Sequence, residues 1–338
     1  MLNQKNRVLV LGATGFVGSH ILEAISSDES VEVIAACRDK NRLPDGFKGE
    51  VRAGNINDEP YLESLFDGID TVCNAFAWTS LYNHVDESKE RFLQPTIRLI
   101  DRAIQSGVTR FVNTSTTSSA SPKASADPMS RGIPRSYWPH LCNVITIENY
   151  LREKANSSFS VINLRLGLFA GNRYALGLLP ILIPRLKTHL VPWVSGGRTS
   201  MPIVDGRDIG QAFYKSILAQ ELNDFQSFNI VGPSVPTVRE VIELLHEHGY
   251  PKPHFNVSFP VAFAFAWLME KIDPVLAWEP LVTRSIVHLL RETNVNNQLA
   301  GEVLDYLPEY DWRDAVKAQL AEMNIKQVKP MGLAVPTK

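Results

Sequence analysis

The run RVLVL (Arg7–Leu11) breaks directly into Gly12-Ala13-Thr14-Gly15-Phe16-Val17-Gly18, which leads into the amphipathic stretch FVGSHILEAI. Three glycines between a strand and a helix have separate steric jobs. The first permits the tight turn, the second lets a phosphate approach the backbone, and the third lets helix pack closely on strand. The helix start adds free N–H groups and the positive end of a dipole, which suit a pyrophosphate. The spacing predicts a dinucleotide site at Gly12, Thr14, Gly15, Phe16, Val17 and Gly18.

The pattern continues downstream. Short apolar runs at Val31–Cys37, Thr71–Ala75, Arg110–Asn113 and Ser160–Leu166 alternate with helix-like segments at Phe16–Ile25, Tyr61–Phe66, Glu87–Gln105 and about His140–Ala155. Strands buried on both faces and separated by helices imply an α/β fold, a doubly wound parallel sheet of the Rossmann type. After Leu166 the texture changes to Pro- and Leu-rich, then helical. The expected organisation is a dinucleotide-binding domain over residues 1–170, completed by a strand near 226–232. A smaller, mostly helical substrate lobe follows over 171–325, partly interleaved with it, and then a loose tail over 326–338.

Composition excludes several classes. The formal net charge is −2, and no Lys/Arg run interleaves with aromatics, so nucleic acid is not an expected partner. Cys37, Cys73 and Cys142 lie far apart without a C-x-x-C. They read as reduced thiols of a cytoplasmic protein, and no cluster has metal-ligand spacing. The N-terminus lacks a signal-peptide pattern. The longest apolar stretch, Phe259–Met269, is shorter than the ~20 residues a membrane span needs. No G-x-S-x-G elbow points to a hydrolase. The composition leaves a homodimer open.

The end of the second strand reports on the ribose. A carboxylate there suits the 2′-hydroxyl of NAD, and an arginine suits the 2′-phosphate of NADP. This chain has Cys37, then Arg38, with Lys40 and Arg42 nearby. The guanidinium favours NADP. Asp39 pairs with Arg38 or turns toward a ribose, which leaves NAD possible.

Together these motifs resemble the extended short-chain dehydrogenase/reductase family over most of the chain. GATGFVG resembles its nucleotide loop. GNIND (Gly54–Asp58) resembles the turn that meets the adenine, with Asn55 in place of the usual Asp and Ile56 beside it. Asn74-Ala75-Phe76-Ala77 resembles the loop after the fourth strand, and FVNTSTT resembles the fifth strand, its catalytic Ser/Thr falling on Thr116. LRLGLFAG around Arg165 and MPIVDGRDIG with Asp208 resemble later family segments. The C-terminal LVTRSIVHLL…LDYLPEYDWRDAV is most similar to the 3β-hydroxysteroid dehydrogenase branch. The resemblance implies an NAD(P)-dependent oxidoreductase in which a Tyr moves the substrate proton. A Lys four residues later lowers the Tyr pKa and holds the nicotinamide ribose. A Ser/Thr orients the carbonyl, and an Asn on the fourth helix supports a water relay. It also implies cofactor contacts at Asn55, Ile56, Ala75 and Ala77.

SYWPHLCNVITIENYLREK (Ser136–Lys154) holds one literal Tyr-x-x-x-Lys, Tyr150 and Lys154. Length argues against it. Fifteen residues separate Tyr150 from Arg165, leaving under two turns of helix, whereas twenty-five separate His140 from Arg165. PHLCNV therefore overlays the family's PYxxSK, with His140 at the Tyr position and Val144 at the Lys position. Glu148 then falls where the family often has Glu. Phe92 stands at the Asn position, so Thr116 alone keeps its family type.

An imidazole can replace the phenol as hydrogen-bond donor or acid–base group, since its ordinary pKa is ~6.5. It needs no lysine, and Val144 removes a cation that would oppose an imidazolium. The opposite reading is a helix-start histidine in a site that no longer reacts. Tyr137 is a second candidate acid, and His84 a residue that could line the same cleft. Phe259–Met269 with Trp267, Leu276–Trp278, and Leu178–Leu182 are candidates for an apolar pocket, for membrane-surface contact, or for plain core. The sequence points to an NADP-dependent oxidoreductase for a bulky, largely apolar carbonyl or hydroxyl substrate. The alternatives are a nucleotide-binding sensor, scaffold or partner subunit, and a lyase or isomerase using the same cleft.

Overall fold

The computed structural model describes residues 5–173, 177–220, 222–273 and 280–326. The first half runs β1 (Asn6–Leu11), α1 (Phe16–Ile25), β2 (Val31–Cys37), β3 (Glu50–Ala53), α2 (Glu59–Ser64), β4 (Thr71–Asn74) and α3 (Val85–Ser88). It continues through α4 (Gln94–Gln105), β5 (Arg110–Thr116), α5 (Pro139–Lys154) and β6 (Ser160–Leu166). After β7 (Leu168–Ala170), α6 (Leu178–Lys187), β8 (Trp193–Val194) and β9 (Ile203–Asp205) come α7 (Gly206–Leu218) and β10 (Phe225–Ile230). Then α8 (Val238–Glu247), β11 (Asn256–Val257), α9 (Phe259–Ile272), α10 (Arg284–His288), α11 (Gln298–Leu304) and α12 (Trp312–Lys326) close the described chain.

Seven strands form one parallel sheet in the order β10-β6-β5-β4-β1-β2-β3. The order reverses at β1, and the crevice beyond the strand ends at such a point is where ligands bind. Side chains alternate across the sheet as strand geometry requires. Val8 and Val10 pack with α1 and α7 on one face, while Leu9 and Leu11 pack with α2, α4 and α5 on the other. Each such buried aliphatic side chain contributes roughly 1.5–3 kcal/mol. β3, read from EVRA, has no apolar run and is mostly exposed at the sheet edge, so the sequence reading did not find it.

The second half contributes β10 to the large sheet and two small parallel pairs, β7 with β9 and β8 with β11. A separate apolar core joins α6, α8 and α12. Asp208, buried on α7, accepts from the backbone N–H of Glu309 at 2.9 Å and Tyr310 at 3.1 Å, tying the C-terminal segment to the sheet. Burial pushes its carboxyl up to about 6. The expected tail lies outside the described residues, apart from Lys326 at the end of α12.

Candidate active site

The nucleotide end of the site is made of backbone. Gly12 has φ +72°, and a Cβ there would lie 2.6 Å from the Ala75 carbonyl oxygen. A Cβ on Gly18 would lie 2.2 Å from the Gly12 oxygen. Gly15, exposed, is the N-cap of α1, with no side-chain cap and no acidic residue in the first turn. The first N–H groups of the helix therefore face outward without competition, a fit for a pyrophosphate. Thr14 is half-buried in the turn. The Phe16 ring stacks on Phe169 at 5.2 Å, and Val17 is buried, so both offer the ligand only their main chain. Ala75 N–H donates to Leu11 at 3.0 Å, which holds the loop bearing Ala75 and Ala77 against the glycine turn.

At the end of β2, Asp39 accepts from Asn41 N–H at 3.0 Å and caps the turn Lys40–Arg42. Arg38 is exposed and has no carboxylate partner among the described residues. Asn55 directs its side-chain oxygen to Asn57 N–H at 3.1 Å, and Ile56 packs against the core cluster on the α2, α4 and α5 face of the sheet.

The chemical end is different. Thr116 ends β5, and its Oγ1 accepts from Ser118 N–H at 3.2 Å, which leaves its own proton to donate. The His140 ring, in the first turn of α5, lies 4.8 Å from Phe92 and 6.3 Å from Trp78. Its Nδ1 is buried without a hydrogen-bond partner, and burial pushes its pKa down to about 4. Of the two roles the sequence leaves open, hydrogen bonding by the neutral ring suits this burial better than titration near neutrality. Val144, one turn on, is buried in the cluster that holds Phe76, Trp78 and Phe92. Phe92 sits in a π-helical turn, Lys89–Leu93, whose loosened carbonyl takes the Thr96 hydroxyl at 2.7 Å.

Tyr150 and Lys154 occupy the far end of α5. The Tyr150 hydroxyl donates to Asp101 on α4 at 2.5 Å, and Lys154 Nζ lies 5.0 Å from the Tyr150 ring centre. Burial and the Asp101 carboxylate push this phenol up to about 12.

Tyr137 meets a residue the sequence reading missed. Its hydroxyl lies 2.9 Å from Nδ1 of His288 on α10. Burial, then Arg291 and Arg135, hold His288 down at about 4, so the two groups share a hydrogen bond between a neutral ring and a neutral phenol. Burial raises the Tyr137 phenol in turn. His288 lines a cleft of about 30 Å³ with Thr117, Ser118, Ser200, Arg291 and Thr293. No sequence signal marks His288, because 151 residues separate it from Tyr137. His84 pairs with Glu87 at 3.3 Å and sets its ring edge against Trp78.

The three apolar segments have different surroundings: Phe263 of Phe259–Met269 sets its ring against Tyr137 at 5.4 Å. Leu178 and Leu179 are buried in the second core, and Trp267 points outward. Leu276–Trp278 lies outside the described residues. Long, flexible apolar runs can serve core, pocket or surface equally well, and only packing distinguishes them.

The position of α5 is set from below. Glu148 and Arg165 form a fully buried ion pair at 2.7 Å, and Ser115 donates to Glu148 at 2.5 Å. An asparagine ladder crosses the sheet, Asn74 to Asn113 at 2.9 Å and Asn113 to Asn163 at 2.9 Å. Asn163 also donates to Glu148 at 3.1 Å, and Asn74 accepts from Phe76 N–H at 3.3 Å. The cofactor-side loop and α5 are thus tied into one buried polar network.

Solved structures share this architecture. MoeE5, in complex with UDP-glucuronic acid and NAD, superposes with a TM-score of 0.69 at 21% identity over 95% of this chain and 99% of its own. UDP-glucose 4-epimerase from Thermotoga maritima gives 0.70 at 18%, over 95% and 100% of the two chains. ADP-L-glycero-D-manno-heptose-6-epimerase from Helicobacter pylori gives 0.66 at 17%, over 95% and 97%. No curated protein matches by sequence. The model of the NAD dependent epimerase/dehydratase family matches residues 8–230, and the protein belongs to that family of enzymes, the extended short-chain dehydrogenase/reductases.

Proposed function

We propose that the protein is an NADP-dependent oxidoreductase acting on the carbonyl or hydroxyl group of a bulky, largely apolar substrate. The observation that carries this reading is the buried, unpartnered Nδ1 of His140. Leaving such a nitrogen unsatisfied costs roughly 1–3 kcal/mol, and a substrate oxygen would remove that cost. Thr116 supports it with a free hydroxyl proton on the turn against which α5 packs. Gly12, Thr14, Gly15 and Gly18, with the main chain of Phe16 and Val17, would hold the pyrophosphate. Asn55, Ile56, Ala75 and Ala77 would border the adenosine half. Arg38, free because Asp39 caps its own turn, would meet a 2′-phosphate.

A nicotinamide cofactor held there would supply or accept the hydride. The residues of this chain handle the oxygen. Thr116 and neutral His140 donate to the substrate carbonyl oxygen and stabilise the charge that develops there. Tyr137, hydrogen-bonded to His288 beside the cleft that Thr117 and Ser118 also line, would be the group to deliver the proton. Ala120, Pro122, Leu168, Pro202 and Leu289 form the apolar part of the cleft's mixed lining, against which an apolar substrate body would pack as the cleft widens.

A second reading, a dinucleotide-binding protein without hydride transfer, is favoured by Val144 and Phe92, which place hydrocarbon where relatives place an ammonium and an amide. Fluorescence titration with NADPH and NADH, followed by NADPH consumption over a panel of apolar ketones and aldehydes, separates the two. The expected result is NADPH preferred at least about tenfold, a preference abolished in Arg38→Ala. Turnover should fall about 100-fold in Thr116→Ala and in His140→Ala. Tight NADPH binding without consumption on any substrate establishes the second reading, and NADH binding as tight as NADPH overturns the cofactor assignment.

A further inference from the structure

The outer face of α9 has no role in the site described above. At 100° per residue, Val261, Phe265, Leu268 and Ile272 fall within about 60° of one another. All four are exposed, as are Trp267, about 100° further round the helix, and Phe255 just before it. The inward face of α9 carries Ala262 and Ala266, buried in a cluster with Val194 and Val287, flanked by Phe259 and by Phe263, whose ring meets Tyr137 at 5.4 Å. Surface helices ordinarily arrange their polar residues the other way round, and a contiguous apolar stripe of this kind marks an interaction surface.

We propose that this face docks the protein on a lipid bilayer carrying anionic headgroups. Charge selects the occupant. From Pro251 to Asp273 the exposed formal charges are Lys252 and Lys271, both positive. The two carboxylates are withdrawn: Glu270 is held by Arg284 at 2.6 Å with its side chain 6% exposed, and Asp273 is buried. Lys271 Nζ lies 6.0 Å from the Trp267 ring centre, an aromatic and a cation side by side at the edge of the apolar stripe. That pairing suits the headgroup level, where indoles concentrate and lysine ammonium groups reach phosphates.

Two other occupants fit less well. A two-fold contact with a second copy sets Lys271 and Lys252 near their own equivalents. The chain's own last segment, QVKPMGLAVPTK, carries lysines and no acid, so it offers no complementary charge. The fourteen residues of α9 are too few to cross a bilayer, and no helix among the described residues is long and apolar enough to do so. The helix lies in the plane of the interface, its stripe buried by roughly 5–10 Å. The proposal stands independently of the catalytic reading.

Co-sedimentation of the full chain with vesicles of phosphatidylcholine containing phosphatidylglycerol, and with phosphatidylcholine alone, tests it. The wild type pellets with the anionic vesicles and several-fold less with the neutral ones. Phe265→Glu/Leu268→Glu weakens binding at least about tenfold. Lys252→Glu/Lys271→Glu changes only exposed charges and should weaken it about tenfold or more, with an unchanged melting temperature. Added anionic vesicles shift Trp267 emission to the blue, a shift lost in Trp267→Phe. Wild-type protein that stays in the supernatant overturns the proposal. So does vesicle binding that both double variants retain, or a lipid-free dimer that Phe265→Glu/Leu268→Glu dissolves, which assigns the face to self-association.

Discussion

The starts of α1 and α5 meet the same edge of one sheet, yet they tolerate change differently. At α1 the binding surface is backbone, and its shape depends on atoms that glycine lacks. Adding one carbon at Gly12 or Gly18 drives it into a carbonyl. At α5 the surface is side chain: His140, with the Phe92 ring 4.8 Å away, and Val144 one turn on gather around the helix start. A phosphate cradle made of main chain tolerates no substitution that fills it, whereas the chemistry opposite can be re-equipped while α5 keeps its place. Its place is secured eight residues further on, where Glu148 pairs with Arg165 beneath the helix.

The largest expected effect tests that anchoring. Glu148→Ala leaves the Arg165 guanidinium buried and unpaired, which should cost about 3–5 kcal/mol in urea unfolding. A loss under about 1 kcal/mol would show that α5 is positioned by apolar packing alone. Next comes the cradle. Gly12→Ala imposes a positive φ on alanine and a contact with Ala75, at a cost of about 1–3 kcal/mol. Dinucleotide affinity measured by fluorescence should fall at least about tenfold, and an unchanged affinity would place the phosphates elsewhere.

The smallest effect is in pH. Burial lowers His140 from 6.5 to about 4, so between those values the unfolded chain binds more protons than the folded one. The contribution of the neutral ring is complete above about pH 6.5 and is lost as pH falls toward 4. His288 follows the same course, while Asp208, raised from 3.8 to about 6, tilts stability the other way in an overlapping window. The reading is therefore a difference. On going from about pH 7 to about pH 5, the wild type should lose stability relative to His140→Phe. Parallel urea midpoints would mean that the ring is solvated and shares no closed environment with Phe92 and Trp78.

Features carried by local patterns were legible. RVLVL followed by the glycine turn, the alternating buried strands, and the register that sets Tyr150 away from the helix start all follow from spacing along a few dozen residues. Tyr150 does face Asp101 on α4. The EVRA strand was missed because an exposed edge strand needs no apolar run to pair with its neighbour. The composition of Phe259–Met269 suits pocket, membrane contact or core alike, and packing divided it: Phe259 and Phe263 turn inward, while Val261, Phe265, Trp267 and Leu268 turn outward.

Periodicity and glycine spacing are short-range quantities, and from them came the parallel sheet, the dinucleotide turn and the placement of His140 at the start of α5. The partnership of Tyr137 with His288, the burial of His140 between two rings, the use of Asp39 as a turn cap and the outward face of α9 were settled in three dimensions. Each depends on which distant residue fills the space beside a group. That neighbour sets its solvation, charge state and partner, and composition along the chain carries no record of it.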